Sequence, residues 1–203
     1  MPMWDTDTTT PRDPLEATVT ADRILFVCTA NICRSPMASA LLRDKLASVG
    51  GAVSVDSGGF GFDDENAYPA SVAALAERGI DLGAHRSSRV DADRIGGADL
   101  VLAMERAHVR KVSTIDPGAW VRTFTLKEFV RRAQLAGGRR PHESLAAWVA
   151  RVHHGRSVDD LLGASDVDDI DDPFGRSAKV FERSVAELDA LLDQFVALYA
   201  PDA

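Results

Sequence analysis

Two residues near the start of the chain are of types that could do chemistry together. Cys28 and Arg34 stand with five residues between them in the segment Ile24–Ala38, which reads ILFVCTANICRSPMA. A thiolate is a strong nucleophile, and an arginine offers a planar fork that can hold two oxygens of a phosphoryl group. The flanks give the spacing its meaning. Ile24–Val27 is a short apolar run rich in branched residues, the pattern of a buried strand, and Ser35-Pro36 opens a helical pattern with proline in its first turn. Between strand and helix, the backbone N–H groups of Thr29, Ala30, Asn31, Ile32, Cys33, Arg34 and Ser35 have no ladder partner and can converge on one tetrahedral anion. The positive end of the helix favours the anionic form of a thiol beside it. The chemistry within reach is attack of Cys28 on the phosphorus of a phosphate ester, giving a phosphocysteine intermediate.

Such a reaction needs an acid for the leaving oxygen. Ile170–Gly175 reads IDDPFG. Asp172, held extended or in a turn by the proline after it, is the candidate general acid and then base. Phe174 can form an apolar wall for an aromatic leaving group. Taken alone Asp-Pro is an ordinary turn signal; it gains weight because the first motif requires an acid.

The elements that must position these groups alternate. Ala52–Asp56, Ala98–Ala103 and Trp120–Thr125 read as further strands after the first. Ala70–Arg78 reads as a helix stopped by Gly79, and a short helix starts at Arg106. The last helix, about Arg176–Tyr199, carries Phe181, Val185, Leu188, Leu192, Phe195 and Tyr199 on one stripe. This alternation predicts an α/β fold: a single three-layer domain with a four-stranded parallel sheet and helices on both faces. Ligands then bind beyond the strand C-termini, where Cys28 sits. Met1–Ala21, rich in Thr, Asp and Pro, reads as a flexible tail, which leaves residues 22–203 as the catalytic domain.

A chain of 203 residues can bury a core without staples, and its net charge of −8 gives no footprint for nucleic acid or an anionic membrane. No apolar run approaches membrane length, and the N-terminus lacks a signal-peptide pattern, so a cytoplasmic location is expected. Only two cysteines are present, Cys28 and Cys33, which excludes a disulfide framework.

The chain resembles the low-molecular-weight protein tyrosine phosphatase family. The family signature stands here as Val27-Cys28-Thr29-Ala30-Asn31-Ile32-Cys33-Arg34-Ser35-Pro36, and its late acid loop as Asp172-Pro173-Phe174. Between them VDSGG (Val55–Gly59), GIDLGAHR (Gly79–Arg86) and DLVLAME (Asp99–Glu105) match further family segments in order. The resemblance implies Cys28 as nucleophile, Arg34 as phosphate clamp and Asp172 as acid and base. It implies a hydrogen-bond network of Asn31, Ser35, Ser57 and His85 that holds the loop, and a redox role for Cys33 through a reversible disulfide with Cys28. The implied substrate is a tyrosine-phosphorylated protein, with neither metal nor cofactor. Ile32 favours that substrate, since relatives acting on phosphoarginine tend to have Thr there. Two other readings are an arsenate reductase on the same scaffold and a non-catalytic phosphotyrosine-binding regulator.

Departures from the pattern are informative. The family often has glycine where Ala30 stands, so φ is expected to be negative there. Gly175 replaces a frequent second aromatic, and Phe60 or Phe62 is expected to supply the opposite wall of the pocket. Residues 131–168 read as an insertion, with Leu145, Trp148, Val149 and Val152 at helical spacing over Ser144–Val152. Arg131, Arg132, Arg139 and Arg140 are read as a solvated face rather than a phosphopeptide guide. His142, His153 and His154 fit no metal-ligand spacing.

Overall fold

The first strand carries the alternation that organises the molecule. In a computed structural model, which describes residues 21–49, 52–159 and 166–200, β1 (Asp22–Cys28) sends Ile24, Phe26 and Cys28 into one apolar cluster and Leu25 and Val27 into another. β3 (Leu100–Ala103) repeats the division, Leu100 and Leu102 against Val101 and Ala103. A strand buried on both faces needs both sets of side chains apolar, and this is why these runs read as continuous. With β2 (Val53–Gly59) and β4 (Thr123–Thr125) they form one sheet of order β2-β1-β3-β4, every pairing parallel.

Helices cover both faces, as expected. One layer holds α1 (Arg34–Leu46), α2 (Pro69–Ala76), α5 (Leu126–Ala136), α6 (Leu145–His153) and α7 (Ala178–Tyr199). The other holds α3 (Ala92–Gly96), α4 (Arg106–Ile115) and a 3-10 turn over Pro117–Arg122. All six stripe residues of α7 are buried. Gly79 takes φ +77° just past α2 and closes it. Among the described residues, no helix is long and apolar enough to cross a membrane.

Some boundaries differ from expectation. The fourth strand is shorter, because Asp116 accepts from the amide of Gly118 and winds Pro117–Arg122 into 3-10 turns before extension begins. β2 is longer and runs through Ser57 to Gly59. The short α3 and the eleven-residue α5 go beyond the expected elements. Except for Ala21, the expected tail lies outside the described residues.

The extra helix, α6, starts at Ser144, whose hydroxyl accepts from the amide of Ala147 at 3.2 Å. It is part of the core. Trp148 is fully buried, edge-on to Phe129 at 5.2 Å and close to Phe195 and Tyr199. Three of the four nearby arginines brace the chain. Arg131 pairs with the buried Asp168 at 3.0 Å, and Arg132 donates to the carbonyls of Val152 and His154. Arg139 and the Tyr199 hydroxyl each donate to the Asp22 carboxylate at 2.6 Å, clasping the start of β1 to the end of α7. Burial, with Asp22 alongside, pushes the Tyr199 phenol well above its ordinary range, so it stays protonated in this clasp. His153 packs its ring against Trp120 and Phe124.

Candidate active site

β1 ends at Cys28 and α1 begins at Arg34, so the residues between them wrap the helix N-terminus as a cradle. Asn31 takes the left-handed conformation, φ +56°, which asparagine tolerates better than most residues. Ala30 is not among the residues of positive φ, in line with its Cβ. The Asn31 amide donates to Cys28 Sγ at 3.2 Å, and Ser35 Oγ lies 3.0 Å from the same sulfur. The Ser35 proton is thus shared between Cys28 and the carbonyl of Gly58, 3.2 Å away. The sulfur thus meets the Asn31 amide and the Ser35 hydroxyl together.

The Asn31 side chain ties this loop to its surroundings. Nδ2 donates to Ser35 Oγ and to Ser57 Oγ, both at 2.9 Å, and Oδ1 accepts from the amide of Ser88 at 3.0 Å. His85 Nε2 lies 2.8 Å from the Asn31 carbonyl. Burial pulls the His85 pKa below its ordinary value, so the neutral ring donates Nε2–H there. Asn31, Ser35, Ser57 and His85 are therefore brought together. Gly59 supports the cradle from below: a Cβ there would lie 2.7 Å from the Asn31 nitrogen and 2.9 Å from the Ala30 carbonyl carbon.

Arg34 is 1% exposed, and its fork is engaged on both sides. Nη1 donates to the Glu105 carboxylate and to the carbonyl of Ile170, the latter at 2.9 Å; Nη2 donates to Asp172 Oδ2 at 2.6 Å. Asp172 is half exposed, and its other oxygen accepts from the amide of Phe174 at 3.0 Å. The acid segment is anchored just upstream, where Ile170 donates to the Met104 carbonyl and Asp169 accepts from the amide of Arg106. Cys28, Arg34 and Asp172, far apart in sequence, thus open on one cleft of about 660 Å³.

The cleft has apolar walls with polar groups at the base and rim. Ile32, Tyr68, Phe174 and the 70% exposed Phe62 line it, as do Glu65 and Asn66. Tyr68 is stacked on Phe181 with centroids 5.4 Å apart, is tilted against Phe174 at 5.1 Å, and donates its amide to the Ile32 carbonyl. Of the two expected wall residues, Phe62 is in place and Phe60 is not. Phe60 turns to the other layer and stacks on His108 at 5.8 Å, because the chain bends at Phe60 and Gly61 just past β2 and sends the two rings apart. Cys33 is a buried free thiol, pushed up to about 12 by that burial against the opposing influence of the Ser71 hydroxyl.

Sequence reasoning missed Tyr68, Glu105 and His108. Glu105 had a readable signal, an acid just past the C-terminal edge of β3, the edge that carries Cys28. Tyr68 and His108 had none, since their neighbours in space come from other elements.

A family model described as low molecular weight phosphotyrosine protein phosphatase matches residues 23–145. A protein-arginine-phosphatase of Geobacillus stearothermophilus is 35% identical over 172 residues, covering 85% of this chain and 92% of its own. A probable low molecular weight protein-tyrosine-phosphatase of Ralstonia nicotianae is 36% identical over 141 residues, covering 64% of this chain and 94% of its own. Among solved structures, a low molecular weight protein tyrosine phosphatase from Bacillus subtilis superposes with a TM-score of 0.67 at 31% identity, covering 89% of this chain and 98% of its own.

Proposed function

Because this chain belongs to the low molecular weight phosphotyrosine protein phosphatase family, a family of hydrolases, we propose that it hydrolyses phosphotyrosine in proteins through a phosphocysteine intermediate. The observation that carries this reading is a single cleft in which Cys28 Sγ meets the Asn31 amide and the Ser35 hydroxyl while Arg34 and Asp172 face each other at 2.6 Å.

The thiolate of Cys28 attacks phosphorus in line with the leaving phenolic oxygen. The cradle amides and Arg34 hold the equatorial oxygens, where charge gathers in the transition state. Asp172 gives its proton to the leaving oxygen and later takes one from the water that releases phosphate. In the resting arrangement Asp172 occupies Nη2 of Arg34. An entering phosphoryl group therefore displaces this carboxylate from the clamp, and the freed carboxylate takes up a proton from solvent before it acts as the acid. The Ile32, Tyr68 and Phe174 walls suit a phenyl ring.

The arginine phosphatase among the relatives supports phosphoarginine as a second substrate class. Phosphotyrosine is favoured because Ile32, Tyr68 and Phe174 present apolar and aromatic surface to the group that carries the phosphate. Turnover of matched phosphotyrosine and phosphoarginine peptides, with wild type and Cys28→Ser, tests both. Higher kcat/KM on phosphotyrosine, abolished by Cys28→Ser, is the expected outcome. Preference for phosphoarginine would replace the substrate assignment. Binding of phosphotyrosine without turnover would make the protein a regulator, and reduction of arsenate with no ester hydrolysis would move it to the alternative chemistry.

A further inference from the structure

His108 is a buried polar side chain that the reaction above leaves unused. It lies in the first turn of α4 at 1% exposure, and its Nε2 is 2.9 Å from Oγ1 of Thr29, the residue that follows the nucleophile. Its Nδ1 is buried and meets no hydrogen-bond partner among the described residues. Phe60 stacks on the ring at an interplanar angle of 18°, and Lys111 Nζ lies 5.2 Å from the centroid of Phe60, so the plane of the imidazole is held.

The position of the ring proton follows. Burial, with Arg34 and Lys111 adding to it, brings the His108 pKa down to about 3, so the ring is neutral and has one N–H. A proton on Nδ1 would be a buried donor with no acceptor, the rarer fault in folded proteins. Glu105 Oε2, 3.9 Å from Nε2, also favours a proton on that side. Nε2–H therefore donates to Thr29 Oγ1, and the hydroxyl keeps its own proton for another acceptor. Thr29 is exposed and lines the cleft beside Cys28.

We propose that Thr29 is a further catalytic residue: its hydroxyl, oriented by the positioning residue His108, donates a hydrogen bond to an oxygen of the phosphoryl group held at Cys28. The backbone N–H of Thr29 already belongs to the cradle, so the side chain adds a second donor from one residue. Such a donor strengthens as negative charge builds on the equatorial oxygens. The inference rests on the phosphatase reading, and its test separates the two.

The test uses the whole chain and the variants Thr29→Val, Thr29→Ser, His108→Gln, His108→Leu and Thr29→Val/His108→Leu. An aryl phosphate and inhibition by orthovanadate are the probes. Thr29→Val should lower kcat/KM and weaken vanadate inhibition by about tenfold or more, the loss of one donor to a charged oxygen. Thr29→Ser should recover most of that loss. His108→Leu should match Thr29→Val in the wild-type background and add little to it in the double variant, whereas His108→Gln, which can still present an N–H, should fall between. Vanadate inhibition unchanged in Thr29→Val, or losses that add fully in the double variant, would overturn the assignment. If His108→Leu does not fold, the Val, Ser and Gln variants decide alone. A wild type that turns over no phosphate ester would remove the phosphatase reading itself.

Discussion

Replacing Gly59 with alanine places one methyl group under the phosphate cradle. The new Cβ would lie 2.7 Å from the Asn31 nitrogen and 2.9 Å from the Ala30 carbonyl carbon, where ordinary contact begins at 3.4 Å. Both obstacles are backbone, so no side chain can swing away. The methyl is about 0.7 Å too close to the nearer atom, and the strain of such overpacking typically costs about 1–3 kcal/mol. β2 is paired to β1 along its whole length, with Gly59 opposite Cys28, so little of the shift can be absorbed below. The cradle must rise, and the atom it moves first is the Asn31 amide that donates to Cys28 Sγ. Displacing catalytic groups by about 1 Å can cost on the order of a hundredfold in rate, so a loss of ~10- to 100-fold in kcat/KM is expected for Gly59→Ala. Vanadate inhibition should weaken in parallel. Gly61→Ala is the matched control: its Cβ would meet Ala30 at an ordinary 3.4 Å, and stability and rate should stay near wild type. Steady-state kinetics and urea unfolding of both variants settle the matter. A Gly59→Ala enzyme with wild-type rate and vanadate affinity would refute the claim that cradle geometry depends on this contact.

Asp172→Asn should lower kcat by about two to four orders of magnitude on phenyl phosphate, far less on an activated nitrophenyl ester, while tightening phosphate or vanadate inhibition, because the carboxylate that occupies Arg34 at rest is gone. Equal losses on both esters would show that Asp172 is not the acid. Trp148→Ala should destabilise the fold by about 3–5 kcal/mol in urea unfolding, since the ring is fully buried between α5 and α7; a much smaller loss would mark α6 as peripheral. The neutral His108 gives the fold a specific acid sensitivity. Its folded pKa, about 3, lies below the ordinary 6.5, so the unfolded chain binds the extra proton first and stability drains away as pH falls from about 6.5 toward 3. Up to about 1.4 kcal/mol per pH unit is at stake in that window. His108→Gln should lose stability less steeply than wild type between pH 6.5 and 4.5 in urea titrations, and parallel slopes would contradict it.

Much of the site was readable because it is local. The cradle is one continuous segment between a strand and a helix, and Asn31 was the natural residue for its one left-handed position. The stripe on α7 was equally plain, as a 3.6-residue period depends on nothing but the helix itself. What escaped depends on tertiary approach. Tyr68 faces the cleft only because α2 begins beside Ile32. His108 reaches Thr29 because α4 packs beneath the loop. Phe60 and Phe62 look interchangeable in sequence, but the turn after β2 sends one to the cleft and the other to the opposite layer. A segment that departs from a family pattern can still fill the core, as Trp148 does. The truncation of the fourth strand had a local cause, the Asp116-Pro117-Gly118 turn, that branched residues further along obscured.

The Asp22–Arg139–Tyr199 clasp has a practical consequence for anyone reshaping this protein. It splices the beginning of the first strand to the finish of the last helix at the rear of the sheet. Seven extended residues, on the order of 20 Å, separate that seam from the sulfur at the other end of β1. A tether joining the two sides of the seam would stay clear of the catalytic edge. A circularly permuted chain reopened in a distant surface turn should therefore keep its cradle intact.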